Sequence, residues 1–412
     1  VKAARALINT LACAALAAGC GYMTISKRDD VSEKRRAPGG GTVYSSAVLM
    51  GEVTAPCAGP VLVLAQPVPE PALETPDHVI LEKPGRFMVY VPAGSYRVFA
   101  YCDANRDGAF TGGEACGSAG GRGGIRVGEG EVAAGIAVAG PAAADGPRGG
   151  ISIRDDGTMP HQSVNGERMK LYEERFCLQN AEAGWWRPTQ FMKAFGANIF
   201  AADPYAPGKV PVLFIHGAEG SPQNWAYFHY RLSDPRYVKW YYYYPTGIRL
   251  ALAARLLYEA LLDMKKRHGF SRICITAHSM GGLIARHLLA NYDLGKKGIE
   301  VRLYVSLASP WSGFESAERA LQLPSKRLPS WLDVATSSEF IRRTLQSHIP
   351  AGTSCHLFYG TADGVSADKA LDDRACRDAK GKHGFEVNHD SILTDRKVFR
   401  KFYEVLTAEM GK

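Results

Sequence analysis

The chain has 412 residues, 46% hydrophobic and 22% charged, which is enough apolar material for two or three packed domains and too much for a disordered chain. With 44 Gly and 23 Pro it is rich in turns, which excludes a fibrous or coiled-coil architecture. The formal charge is +8, and without Lys2 and Arg5 it falls to 47 basic against 41 acidic side chains, an excess too mild and dispersed for a nucleic-acid footprint.

The chain opens on an address. Lys2 and Arg5 precede a mostly apolar stretch over 6–18, too short to cross a bilayer as a helix, which reads as a cleavable export signal over 1–19. Leu16-Ala17-Ala18-Gly19-Cys20 resembles the lipobox of bacterial lipoproteins, with Ala17 where that family more often has a larger aliphatic residue. The resemblance implies that Cys20 is acylated and becomes the first mature residue. Gly21 in place of Asp then points to the outer membrane of a host that has two. Residues 20–41 are charged and then Gly-rich, as suits a solvated tether.

Nine cysteines fit an exported chain. Cys13 falls in the signal, Cys20 carries lipid, and Cys274 sits in an apolar run that reads as a buried strand. The remainder, Cys57, Cys102, Cys116, Cys177, Cys355 and Cys376, permits three disulfides in an oxidising compartment. Cys102 with Cys116 and Cys355 with Cys376 are the preferred pairs, because each closes a short loop. No CxxC occurs, which leaves a zinc ribbon or thioredoxin-type role without support.

Over 42–140, short apolar runs such as 61–65, 87–91 and 96–101 alternate with turn residues, and no helical period interrupts them. The pattern predicts a small antiparallel β-sandwich. The stretch 91–101 resembles one hairpin of transthyretin-like or carboxypeptidase-regulatory-like modules. Directly after it, Asp103-Ala-Asn105-Arg-Asp107-Gly108-Ala109-Phe110-Thr-Gly-Gly-Glu114 resembles the twelve-residue EF-hand loop. Asp103, Asn105 and Asp107, the Ala109 carbonyl and Glu114 would converge on a structural calcium. The alternative is an Asx-rich turn whose side chains cap backbone amides without metal. Residues 141–158, beginning in a Gly/Pro-rich stretch, read as the linker.

From 159 to 412, apolar runs alternate with helix-length amphipathic stretches. Strands are expected over 210–215, 239–244, 272–277, 300–307 and 356–359, and helices over 222–232, 248–268, 280–292 and 396–410. That repetition predicts an α/β fold with a doubly wound, mostly parallel sheet, whose site lies at the carboxyl ends of the strands. At one such end stands Ile273-Cys-Ile-Thr-Ala277-His278-Ser279-Met280-Gly281-Gly282, a strand, a tight turn with serine at its apex, and a helix. At another stands Val210-Pro-Val-Leu-Phe-Ile-His216-Gly217-Ala218. Asp363 follows the strand at 356–359, and Asn388-His389-Asp390 precedes the last helix.

These four segments resemble α/β-hydrolase lipases and esterases, particularly inositol-deacylase-like lipases, over about 200 residues, with Ala277 replacing the first Gly of the nucleophile elbow. The resemblance implies Ser279 as nucleophile, His389 as base, Asp363 as its orienting acid, and the Ala218 and Met280 N–H groups as oxyanion donors. Asp368, Asp372 and Asp373 are weaker candidates for the acid, and His383, in a Lys/Gly-rich surface loop, is the runner-up base. His216 and His278 read as structural. No cofactor is expected for the chemistry.

A cap insertion is expected over 309–353, with an amphipathic helix over 338–347 and with Trp311, Phe314 and Trp331 either lining an acyl pocket or forming plain core. Tyr241 to Tyr244 need only packing to explain them. The reading is a lipid-anchored serine hydrolase of carboxylic esters, taking an ester or lipid substrate. Its rivals are a non-catalytic envelope-binding lipoprotein and an acyltransferase using the same residues.

Overall fold

The computed structural model describes residues 47–411 apart from 70–75, 108, 111, 141–150, 153–161, 163, 323–327 and 366–371. The export signal, Cys20, the tether, Asp368 and all but residues 151 and 152 of the linker lie outside the described residues. None of the described helices is long and apolar enough to cross a membrane.

The first region is built of β1 (Ala47–Val53), β2 (Val61–Pro67), β3 (Asp77–Leu81), β4 (Arg86–Val91), β5 (Gly94–Cys102), β6 (Ala109–Phe110), β7 (Ala115–Ala119), β8 (Ile125–Val127), β9 (Val132–Val138) and β10 (Ile151–Ser152). A three-stranded sheet, β4-β1-β9, faces a sheet ordered β3-β2-β5-β7, with β8 also paired to β5. Leu49, Val63, Phe87, Val89 and Val98 fill the space between the sheets. Most pairings are antiparallel, but β9 runs parallel to β1.

Strands β1 and β4 do not alternate apolar with polar, and the reason lies in what each face meets. Ala47, Leu49, Phe87 and Val89 point into the sandwich. Val48, Met88 and Tyr90, from the other phase of the same strands, join the core of the second region. A strand covered on both faces reads as a continuous apolar run. The sandwich is therefore packed onto the second region and not merely strung from it. Arg86 pairs with Asp263 across the junction, and the Gln162 side chain hydrogen-bonds both the N–H and the carbonyl of Met88.

The disulfide expectation fails for both preferred pairs. Cys102 bonds to Cys57, with Cα atoms 5.7 Å apart, while Cys116, Cys355 and Cys376 remain thiols. Register explains the first case: Tyr101 lies opposite Ala115 and Ala100 opposite Gly117, so Cys116 falls in the bulge between them and not beside Cys102. Cys355 is buried on its strand and Cys376 packs against the same core as a separate thiol.

The second region contains α1 (Leu178–Trp186), α2 (Pro188–Phe195), β11 (Asn198–Ala201), β12 (Val210–Ile215), α3 (Ala226–Arg231), β13 (Tyr237–Tyr243), α4 (Leu250–His268), β14 (Arg272–His278), α5 (Met280–Asn291), β15 (Glu300–Leu307), α6 (Glu315–Leu321), α7 (Pro329–Val334), α8 (Glu339–Gln346), β16 (Ser354–Gly360), α9 (Asp373–Cys376), β17 (Ala379–Phe385) and α10 (Arg396–Met410). The sheet runs β11-β13-β12-β14-β15-β16-β17, with β11 antiparallel to β13 and every other pair parallel. Helices α4 and α5 cover one face and α3 and α10 the other. This is the doubly wound α/β-hydrolase arrangement, preceded by an all-β sandwich.

Local differences have local causes. The helix expected over 222–232 begins as a 3₁₀ turn, Pro222–Trp225, capped by Ser221, and becomes α-helical only in α3. Strand β17 was hidden by its composition, Ala-Lys-Gly-Lys-His-Gly-Phe, which suits an edge strand better than a buried one. His383 therefore sits in a strand, not a loop, hydrogen-bonded to His356 at 3.1 Å. Tyr241 and Tyr243 face the α3/α10 side, while Tyr242 and Tyr244 face the α4/α5 side.

Candidate active site

Strand β14 ends at His278, and the chain reverses through Ser279, whose φ of 53° and ψ of −129° lie outside the ordinary regions for a residue with a side chain. Two backbone bonds hold that conformation. Ser279 N–H donates to Leu307 O at 2.8 Å, and Gly282 N–H returns to Ser279 O at 2.9 Å. The small residues are demanded by contact. A Cβ on Gly282 would lie 1.9 Å from Ser309 Oγ, and one on Gly217 would lie 2.8 Å from Ser279 Cβ. Four non-glycine residues with positive φ occur among the described residues, and three of them, Glu219, Ser279 and Ala308, stand at the carboxyl ends of β12, β14 and β15. Strain so placed marks a site built for something other than stability.

The structure brings Ser279, His389 and Asp363 together from three distant segments. His389 Nε2 lies 2.9 Å from Ser279 Oγ, and His389 Nδ1 lies 3.0 Å from Asp363 Oδ2. Nδ1–H therefore donates to the carboxylate, and Nε2 is left to accept from the serine hydroxyl. Asp363 is buried, and its second oxygen accepts the Val365 N–H at 2.8 Å. Asp372 instead caps α9 and accepts from Ser312 and Arg374, while Asp373 lies within that helix. His383 pairs with His356. None of these three reaches the serine by a hydrogen bond in the described residues.

Ala218 and Met280 border the same cleft as Ser279. Met280 opens α5, where a backbone N–H has no partner within its own helix. His216 turns inward: its Nδ1–H donates to Gly217 O at 2.9 Å, and its ring stacks on Tyr244 at 4.5 Å. Burial lowers its pKa to about 4, which keeps it neutral. The Tyr244 hydroxyl donates to His216 O at 2.8 Å, so the tyrosine run does more than pack.

His278 does more than pack as well. Its Nε2–H donates to the main-chain carbonyl of His389 at 2.9 Å. Burial, and then the neighbouring His389, lower its pKa to about 3. A neutral imidazole thus fixes the loop that carries the second one. Sequence reasoning placed His278 beside the turn but gave no sign of this bond, which depends on two loops 111 residues apart.

The cleft has a volume of about 430 Å³. Trp185 and Trp186 from α1 form one wall. Phe314, Ala317, Ala320, Trp331 and Val334 from the cap form the other. Trp186 and Trp331 meet edge to face at 6.1 Å. Trp311, by contrast, is core. The α1 tryptophans were missed because nothing in their local pattern announces a cleft. Apart from His278, His389 and Asp390, the lining carries no acidic or basic side chain.

In the acidic loop of the first region, Asp103 Oδ1 and Asn105 Oδ1 both accept the Asp107 N–H at 3.1 Å, and Asn105 Nδ2 donates to Asp107 Oδ2 at 2.9 Å. No group of three or more His, Cys, Asp or Glu side chains among the described residues is arranged to hold a metal ion. Of Ala109 only the backbone is described, as part of β6, and Glu114 closes a 3₁₀ turn.

Residues 210–351 match the family described as "Putative serine esterase (DUF676)". No curated protein matches the chain in sequence. Among solved structures, the chain is similar to the lipase BlEst2 of Bacillus licheniformis in its mature form, at 18% identity over 50% of this chain and 97% of that one, with a TM-score of 0.41. It is similar to Est1E from Butyrivibrio proteoclasticus at 14% identity, over 52% and 94% of the two chains, with a TM-score of 0.40. It is also similar to the lin2722 gene product of Listeria innocua at 17% identity, over 48% and 94%, with a TM-score of 0.40.

Proposed function

We propose that the protein is a serine hydrolase of carboxylic esters that works through an acyl-enzyme on Ser279. The observation that carries this reading is the pair of contacts at His389, 2.9 Å to Ser279 Oγ and 3.0 Å to Asp363 Oδ2, above an apolar cleft. The match of the central segment to a serine-esterase family supports the same chemistry.

On this reading His389 takes the Ser279 proton as Oγ attacks the ester carbonyl, and Asp363 stabilises the imidazolium so formed. The Ala218 and Met280 N–H groups donate to the negative oxygen, each lowering the barrier by roughly 3 kcal/mol. His389 returns the proton to the leaving alcohol, and water repeats the cycle on the acyl-enzyme. The apolar lining favours uncharged acyl groups over charged ones.

A fluorophosphonate probe labels the wild type and spares Ser279→Ala if this is right. Equal labelling of both, or of neither, would favour the binding lipoprotein. Transfer of the acyl group to an added alcohol in preference to water would favour the acyltransferase.

The proposal extends to location: export and anchoring through a lipid on Cys20, with the ester substrate met at a membrane. Fractionation of cells expressing wild type or Cys20→Ala tests it, since the variant should move from the membrane to the soluble fraction.

A further inference from the structure

The two walls of the cleft come from different parts of the chain, yet both hang on one short segment. Gly247 N–H donates to Gly184 O at 2.9 Å, next to the tryptophans that end α1. A Cβ at 247 would lie 2.1 Å from Trp185 O, so this approach requires glycine. On the other side, Ser330 N–H donates to Gly247 O at 3.2 Å, at the start of α7.

Two residues further on, Arg249 grips α7 itself. Its Nε–H lies 2.9 and 3.0 Å from the two oxygens of Asp333, and Nη2 lies 2.8 Å from Oδ1. Leu250 N–H donates to Asp333 Oδ2 at 2.6 Å, so the same carboxylate also satisfies the first turn of α4. The Asp333 side chain is 0% exposed.

Helix α7 has six residues. A helix that short cannot hold itself in place by its own hydrogen bonds, so its position is set by what it is tied to. The Ser338 Oγ bond to Asp333 O and the Phe314 N–H bond to Val334 O tie α7 to the rest of the cap. The Arg249 fork and the Ser330 bond tie it to the body of the domain. Glu129 of the β-sandwich also approaches Arg249, at 3.5 Å and 45% exposed, a pair too open to contribute much.

Resting on the ester-hydrolase reading, we propose that Arg249 is a positioning residue that sets the separation of Trp186 from Trp331 and Val334 and thereby selects esters by the size of the acyl group. A small acyl group such as acetyl occupies only the space beside Ser279. A longer one must extend along the cleft past the Trp186–Trp331 contact, whose position the fork fixes.

The test uses the full chain with p-nitrophenyl acetate and octanoate, on wild type, Arg249→Lys and the double variant Arg249→Met/Asp333→Leu. The double variant removes both charges together, so no buried carboxylate is left unpaired, and a cooperative melt checks that it folds without the Leu250 N–H bond to Asp333. Lysine keeps the charge but not the planar fork.

The expected result is a kcat/KM for acetate within a few-fold of wild type and an octanoate-to-acetate ratio changed by about tenfold or more in the double variant, with a smaller change in the same direction for Arg249→Lys. An unchanged ratio in variants that melt cooperatively and label with fluorophosphonate would overturn the proposal. So would a parallel loss on both esters, which would mean only damage to the fold. Absence of probe labelling in the wild type would instead remove the hydrolase reading, and the proposal with it.

Discussion

The turn at Ser279 and the acidic loop at Asp103 are each announced in the sequence by a short motif, and the structure treats them differently. Around Ser279 the side chains reach outward to residues far along the chain: His389 lies 110 positions away and Leu307 is the serine's backbone partner. In the acidic loop Asp103 and Asn105 fold inward to accept the Asp107 N–H, and the Asp107 carboxylate accepts from Asn105 Nδ2. A motif whose groups face a distant partner across a cleft is equipped for chemistry. One whose groups satisfy their own backbone is equipped to hold a turn.

The sharpest break of this comparison is at the serine. Ser279→Ala should lower ester turnover by roughly 10⁴-fold or more, since nucleophile and base act as a unit. A loss below about tenfold would place the chemistry elsewhere.

The acidic loop should matter to stability through its covalent bridge. Cys102→Ser opens the link to Cys57, 45 positions away, and should cost about 2–4 kcal/mol in urea unfolding. Cys116→Ser should cost less than about 1 kcal/mol, and the reverse order would restore the pairing of Cys102 with Cys116.

The bond from His278 to the His389 carbonyl gives a smaller effect on rate. His278→Phe should reduce kcat by about 10–100-fold, because the base is displaced without being removed. His278→Gln, which can still donate, should recover most of it. Equal losses in both variants would reduce His278 to packing.

Acid should weigh on the same region. His216 and His278 have folded pKa values lowered from 6.5 to about 4 and about 3. The unfolded chain therefore binds more protons between those values and 6.5, so their contribution is complete above about pH 6.5 and is lost as the pH falls. Each should add up to about 1.4 kcal/mol per pH unit to the slope of stability. Urea melts from pH 7 to 4 should show a shallower slope in His278→Gln.

The smallest effect expected is none. EDTA should leave the melting temperature unchanged, because the described donors of the acidic loop already serve its amides. A fall would favour the calcium reading over the metal-free turn.

Much of the fold was legible. Strands 210–215 and 300–307 and helix 396–410 coincide with β12, β15 and α10, because buried parallel strands and amphipathic helices carry strong patterns over their whole length. The segments bearing Ser279, Asp363 and His389 were also legible, each as a turn beside such an element. Strand β17 was not, because an edge strand of Lys and Gly has no apolar run to show.

By itself the sequence determined the elements whose burial repeats along the chain and the residue types able to act on an ester. Only the tertiary structure decided that Cys102 meets Cys57, that His278 braces His389, and that Trp186 and Trp331 meet in the cleft that Ser279 lines. The physical reason is range. Periodicity and turn chemistry are local, whereas register, disulfide partners and cleft walls are fixed by groups brought together from 45 to more than 140 positions apart.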